Sequence, residues 1–427
     1  MYSGAFPEIM PSRRRVLAAT AGALTSGLAG CSYIRSDNTP EVSVQGNVVR
    51  SSGFWPSFNG HNANTGYSPD GTAIESDPSV AWRAPVDASD GYPVVGWQHV
   101  FYPGYNVLRA FDIADGTERW SRTVYELDED DNKYERGVST PPAFPHQVGV
   151  GGGPDLVVVG VAGERNELRA YTVEGDLAWQ TPTPAGGKLV GAPAYEPRTN
   201  RICVGTTGER VVCVEARTGD VEWSRRVFGA VEAAPAVDEA EVIVTTTAGE
   251  VYGLATDDGR GLWRASADAP IHCSPAAVGA LTMVLDDTGR LYGFDSGGGT
   301  AWSSDAGSAI LYPGLATDGK RAYFITNEGR RGDKLVSADV RTGEQRWSVR
   351  AGGTAGGNLP VVVDDTVYTT GVDSVAAFVT GEVGAFGDRE RWRWRPDGSV
   401  YGPVVAADGR LFVPVSDEEE YELVALE

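Results

Sequence analysis

Short apolar runs alternate along almost the whole chain with polar, glycine-rich turns. A representative pair is Val242-Ile-Val244 and Val251-Tyr-Gly-Leu254, separated by a polar stretch that ends Thr-Ala-Gly-Glu. Runs of this length rich in Val, Ile, Thr and Tyr and broken by turn residues predict β-hairpins. Outside the N-terminus no long apolar spacing follows the 3.6-residue period of a helix.

The hairpins recur in a fixed frame. A strand-like segment carries proline at Pro93, Pro142, Pro193, Pro235, Pro275, Pro313, Pro360 and Pro403. A tryptophan closes the unit that follows, at Trp120, Trp179, Trp223, Trp263, Trp302, Trp347, Trp392 and, wrapping to the start, Trp82. The clearest connecting phrases are Ala110-Phe-Asp112-Ile-Ala-Asp-Gly116-Thr-Glu-Arg-Trp120 and Ala338-Asp339-Val-Arg-Thr342-Gly343-Glu-Gln-Arg-Trp347. Glycine stands four residues before tryptophan there and again at Gly175, Gly219, Gly259 and Gly298. A repeat of about 40 to 50 residues made of short strands cannot bury its own face and must stack on its neighbours. The prediction is an all-β, eight-bladed β-propeller of four-stranded antiparallel blades. Proline, which lacks an N–H, suits the start of the innermost strand, and the tryptophan of the outer strand is available to fill the gap between blades. Glu422-Leu-Val-Ala-Leu426 reads as a third strand without a fourth, and Val80-Ala-Trp82-Arg83 as an orphan outer strand. Pairing these N- and C-terminal strands closes the ring and removes two exposed sheet edges.

Composition narrows the partners. The 427 residues carry 36 basic and 58 acidic side chains, a net charge of -22. Residues 1–30 hold three Arg and one Glu, so the remainder is more acidic still. A nucleic-acid binder needs a basic footprint, and none is present. The cations are almost all Arg, with Lys only at Lys133, Lys188, Lys320 and Lys334. A strongly acidic, lysine-poor surface resembles the halophilic proteins of salt-loving archaea, where carboxylates keep chains hydrated and apart under heavy screening.

The N-terminus reads as an export label. Arg13-Arg14 precedes an alanine-rich apolar run of about 13 residues, too short for the roughly 20 that a membrane-spanning helix needs. Leu28-Ala29-Gly30-Cys31 follows. The twin arginine resembles a Tat signal and the tetrapeptide resembles a lipobox, which makes Cys31 the lipidated residue. The expected organisation is a Tat-type lipoprotein signal peptide over 1–30, a flexible tether over 31–53 and a propeller over 54–427, exported and lipid-anchored at the outer face of the cell membrane. Cys203 and Cys213 lie symmetrically about Gly208 in a hairpin. A disulfide is open to an exported protein, but directly opposed positions give poor disulfide geometry, so two buried thiols are expected. Cys273 reads as a small core residue.

The repeat resembles the quinoprotein-type, or PQQ-like, propeller family, whose unit has the form Ala-x-Asp-x-x-Thr-Gly-x-x-x-Trp. The resemblance covers residues 54–427, and Trp55-Pro56-Ser-Phe58-Asn-Gly-His61-Asn-Ala-Asn64-Thr65-Gly66-Tyr67 resembles its lead-in segment. The seventh unit departs, with an insertion between Phe378 and Trp392 and no glycine at the usual offset. In the dehydrogenases of the family the resemblance implies a funnel that holds a quinone and calcium through a Glu, an Asn and a catalytic Asp, often with adjacent cysteines in a disulfide. No carboxylate of this chain matches those positions and there is no Cys-Cys pair, so neither PQQ nor calcium is expected. The anchor and the repeats together resemble the lipoprotein propellers of bacterial outer-membrane barrel assembly, which implies a protein-binding scaffold.

Other chemistry is sparse. His61, His99, His146 and His272 lie far apart, with no zinc-ligand spacing. Gly149 to Pro154 opens no helix and lacks a phosphate-binding geometry. The acidic run from Glu126 to Glu135 has Lys133 where an EF-hand loop needs glycine, so it reads as a solvated insertion suited to partner contacts. The remaining candidate is the channel mouth beside the inner-strand prolines, where Tyr92, Lys188, Glu232, His272, Tyr312, Asn358 and Tyr401 converge. These side chains either hold a ligand or line a water-filled channel, and Glu232 and His272 stand at equivalent places in adjacent blades. The expected function is a non-catalytic, membrane-anchored module that binds other membrane or envelope proteins. Two alternatives are a quinone- and calcium-dependent dehydrogenase, and a surface glycan binder using Trp97 and Tyr105.

Overall fold

The computed structural model describes residues 53–87, 91–124, 137–145, 155–163, 165–184, 186–306, 314–327, 333–352, 359–384, 387–417 and 420–427. The export motif with Arg13, Arg14 and Cys31, the acidic run 126–135, Tyr312 and Asn358 lie outside these residues. The named elements are all strands, arranged in eight sheets. The protein is an eight-bladed β-propeller. The fourth blade shows the pattern, with strands Ala236–Asp238, Glu241–Thr245, Glu250–Ala255 and Gly261–Ser266 pairing antiparallel in sequence order from axis to rim. Closure follows the predicted route. Tyr421–Leu426 pairs on one side with Arg410–Ser416 and on the other with Val80–Pro85, so the eighth blade takes its outer strand from the start of the chain.

Each tryptophan of the repeat faces a small residue on the neighbouring strand. Trp120 lies opposite Ala110, Trp179 opposite Ala170, Trp223 opposite Cys213, Trp263 opposite Gly253 and Trp302 opposite Gly293. Trp347, Trp392 and Trp82 face Ser337, Ala377 and Ala425. All eight pairs have a register shift beside them at the same place, where one extra residue on the outer strand turns the chain.

Six of these tryptophan rings reach a glycine of the next blade. A Cβ on Gly116 would stand 2.5 Å from the Trp82 ring, and one on Gly343 would stand 2.5 Å from that of Trp302. Gly175, Gly219, Gly259 and Gly298 lie in the same way against Trp120, Trp179, Trp223 and Trp263. These glycines also hold positive φ, so the turn needs glycine for its backbone and for its contact. Four of the indole N–H groups donate to the next blade, among them Trp82 to the Ile113 carbonyl at 3.0 Å and Trp120 to that of Val173 at 2.7 Å. Trp179 and Trp223 do the same to Ala216 and Thr256, both at 2.9 Å. Glycine and tryptophan that sit four residues apart in sequence thus serve two different interfaces.

The divergent seventh blade solves the same problem differently. Its outer strand is Glu390–Trp394, with Trp392 in the usual place. Without the glycine, Arg389 lays its guanidinium 4.1 Å from the centre of the Trp347 ring of the sixth blade. It also donates to the carbonyls of Val379 and Gly381 at 2.6 and 2.7 Å.

The lead-in segment occupies the axis. The inner strands turn an edge towards the channel, and in five of them the residue two beyond the proline offers its N–H there. The lead-in supplies the acceptors. Val95 N donates to Trp55 at 2.9 Å, Phe144 N to Pro56 at 2.7 Å and Val237 N to Asn62 at 2.6 Å. Ala277 N donates to Ala63 at 2.9 Å and Val362 N to Gly66 at 2.8 Å, while Thr317 N of the sixth blade donates to Thr65 at 2.7 Å. Two buried amides tie the loop together. Asn59 Nδ2 reaches the Asn64 and Leu315 carbonyls, and Asn64 Nδ2 those of Ala234 and Pro235. Tyr67–Ser68 then adds a parallel strand to Val361–Val363. The sequence reading of a water-filled channel is therefore corrected at this end, because unsatisfied strand edges facing one another recruit the chain itself.

The expectation of two thiols is also corrected. Cys203 and Cys213 are directly opposed and joined by a disulfide, with their Cα atoms 4.1 Å apart. This spacing is that of a non-hydrogen-bonded antiparallel pair, in which opposed side chains approach more closely than in the hydrogen-bonded kind. Cys273 is a buried thiol that donates to the Leu285 carbonyl at 2.9 Å.

Candidate functional site

The lead-in stops the channel at the end where inner and second strands connect. At the opposite end it leaves a blind cavity of about 550 Å³. This volume falls within the roughly 300–1,000 Å³ typical of small-ligand pockets. The floor is Phe58, whose ring lies 4.7 Å from that of Tyr92 at an interplanar angle of 49°. The walls come from the first five blades and are mostly apolar or small, including Tyr105, Pro141, Leu189, Val190 and Ala233.

Four of the residues singled out in the sequence meet here: Tyr92, Lys188, Glu232 and His272. Each sits in the segment that enters an inner strand, which explains why a search beside the prolines found them. Lys188 is exposed and makes no ion pair with the described residues, while its backbone is held on both sides by Thr207. Glu232 lies on the next blade, its side chain 37% accessible. His272 lies on the blade after, with Nε2 3.7 Å from Glu232. The suspected pair therefore exists as a long contact. The firmer partner of His272 is Asp287, both of whose oxygens lie 2.9 Å from Nδ1. The bond to Asp287 fixes the ring and turns Nε2 towards Glu232.

The structure places Tyr401 elsewhere. Its hydroxyl lies 3.0 Å from that of Tyr102 and its ring packs edge-on against Tyr421, within the first and eighth blades. Sequence reasoning missed Phe58, because a lead-in residue gives no sign of folding back to the axis. It also missed Asp287, which belongs to a turn fifteen residues beyond its partner.

The donor set does not suit a calcium-held quinone. Among the described residues no three His, Cys, Asp or Glu side chains converge on a metal position. Among the described residues Glu232 is the sole carboxylate and Lys188 the sole permanent cation on the cavity wall, whereas a polyanionic quinone calls for several cations around it. The nearby Cys273 thiol is pushed up to about 12 by burial and is no nucleophile. Trp97 and Tyr105 occupy turns at opposite ends of the strand His99–Pro103.

A family model described as outer membrane protein assembly factor BamB matches residues 164–296 and 287–386. Together these ranges span more than half of the chain. The chain belongs to this family. BamB of Bordetella pertussis is 28% identical over 123 residues, which cover 29% of this chain and 30% of that protein. The match thus spans less than a third of that relative's length. The crystal structure of BamB from Moraxella catarrhalis superposes with a TM-score of 0.62 at 16% identity, covering 82% of this chain and 100% of that one. Quinohemoprotein alcohol dehydrogenase from Comamonas testosteroni gives 0.67 at 13% identity, covering 90% and 81%. At such identities both structures speak for the fold alone.

Proposed function

We propose that this protein is a non-catalytic scaffold that holds another envelope protein, exported through Arg13-Arg14 and tethered to the outer face of the membrane by a lipid on Cys31. Membership of the BamB family carries this reading, since the matched protein is an assembly factor by name. The axis supports it. A channel stopped by the protein's own lead-in makes a stiff disc whose loops vary independently of the ring, the arrangement that suits a docking surface. The acidic insertion 126–135 is the first surface to test.

The experiment is mild crosslinking of the tagged protein in its native membrane at high salt, followed by capture and mass spectrometry. The expected result is a stoichiometric envelope protein that disappears when residues 126–135 are deleted, and release of the propeller from the membrane in Cys31→Ser. Recovery of the propeller without a partner would overturn the scaffold reading.

A further inference from the structure

The cavity has a feature that a docking disc does not need. Three consecutive blades place Lys188, Glu232 and the His272–Asp287 pair at the mouth of one blind pocket, above an apolar floor of Phe58 and Tyr92. In most of this molecule a cation lies beside a carboxylate. Arg109, Arg169, Arg264 and Arg393, for example, each carry an acidic partner within 3.0 Å. Lys188 does not. Glu232 has only the long contact to His272, whose Nδ1 is already committed to Asp287. One cation and one carboxylate on neighbouring blades are thus left with bonding capacity, facing the same space.

We propose that this pocket binds a short peptide with free termini, its carboxylate on Lys188, its ammonium on Glu232 and an apolar side chain against Phe58 and Tyr92. The chemistry excludes the obvious competitors. A polyphosphate or polycarboxylate would meet Glu232 as well as Lys188 and find a single cation to neutralise it. A neutral apolar ligand would strip water from both charges without replacing their hydrogen bonds. A dipolar ligand with an apolar body satisfies all three features at once. The proposal concerns a small ligand, and its test reads binding to the pocket itself, so it stands or falls independently of the scaffold reading.

The test is calorimetric titration of the full chain with the tripeptide alanyl-phenylalanyl-alanine, run beside its N-acetylated and C-amidated forms. Saturable one-to-one binding is expected for the free tripeptide, weakened about tenfold by blocking either end, as for loss of one charge-assisted bond. Lys188→Gln should weaken the free peptide to the same extent yet leave the C-amidated form unchanged. Glu232→Gln should do the same for the N-acetylated form. Both side chains lie at the mouth of the pocket outside the core, and unchanged circular dichroism and melting confirm that the variants are folded. No saturable heat up to about 10 mM, well beyond the millimolar range where binding is worth about 4 kcal/mol, overturns the proposal. So does a loss that is equal for free and blocked peptides.

Discussion

His61 sits in the lead-in at the centre of the ring, fully buried, with Nε2 against the Thr65 hydroxyl and Nδ1 accepting from the Ala63 amide at 3.3 Å. Burial lowers its pKa from 6.5 to about 4. The native state therefore takes up the proton later than the unfolded chain does. Its contribution is fully present above pH 6.5 and is lost as the pH falls from there through about 4. A shift of this size corresponds to about 3 kcal/mol of stability. Denaturant titrations between pH 7 and pH 4 should show the wild type losing about that much more stability than His61→Gln, whose amide cannot gain the proton. Parallel pH profiles for the two proteins would mean that the lead-in tolerates a charge at the axis.

Between blades, one glycine and one tryptophan form a clasp whose two halves lie in different repeats. Gly343→Ala places a Cβ against Trp302 at a residue with φ of 71°. The expected loss is about 2 kcal/mol or more, since strain at positive φ adds to the contact. The seventh blade offers the complementary experiment. Arg389→Ala removes a cation stacked on Trp347 and two donors to backbone carbonyls, for an expected loss of about 1–3 kcal/mol. Arg389→Gly is the sharper variant, because it removes the same groups without restoring the glycine four residues before tryptophan. Chemical denaturation of the three variants checks both figures, and an Arg389→Gly protein as stable as wild type would show that the stacked arginine is incidental. The fixed glycine-to-tryptophan offset was legible because each repeat writes it in one line. The partner of each glycine was not, because Gly175 rests on Trp120 of the preceding repeat.

At the scale of the ring, closure depends on two stretches far apart in sequence. The strand Tyr421–Leu426 lies between Arg410–Ser416 and Val80–Pro85. Truncation after residue 420 leaves both neighbours as bare edges, and aggregation is the expected outcome. Size-exclusion chromatography and thermal unfolding check it, and a monomer that melts cooperatively at the wild-type temperature would show that the lead-in alone holds the disc. Much of this architecture is determined by the sequence itself. Short apolar runs broken by turn residues, prolines at strand starts and an unmatched strand at each end specify antiparallel blades and a closed ring, because those patterns follow from local geometry and from the need to bury one face. Tyr92, Lys188, Glu232 and His272 could be singled out because each precedes an inner-strand proline, but the same position did not bring Tyr401 to the pocket. Tertiary structure alone decided the rest. It folded Trp55 to Gly66 across six inner strands, joined Cys203 to Cys213, and set Phe58 beneath Glu232 and Asp287 beside His272. Those contacts join segments that carry no periodic signal, and they form only because eight strand edges meet at one axis and their amides and carbonyls must find partners there.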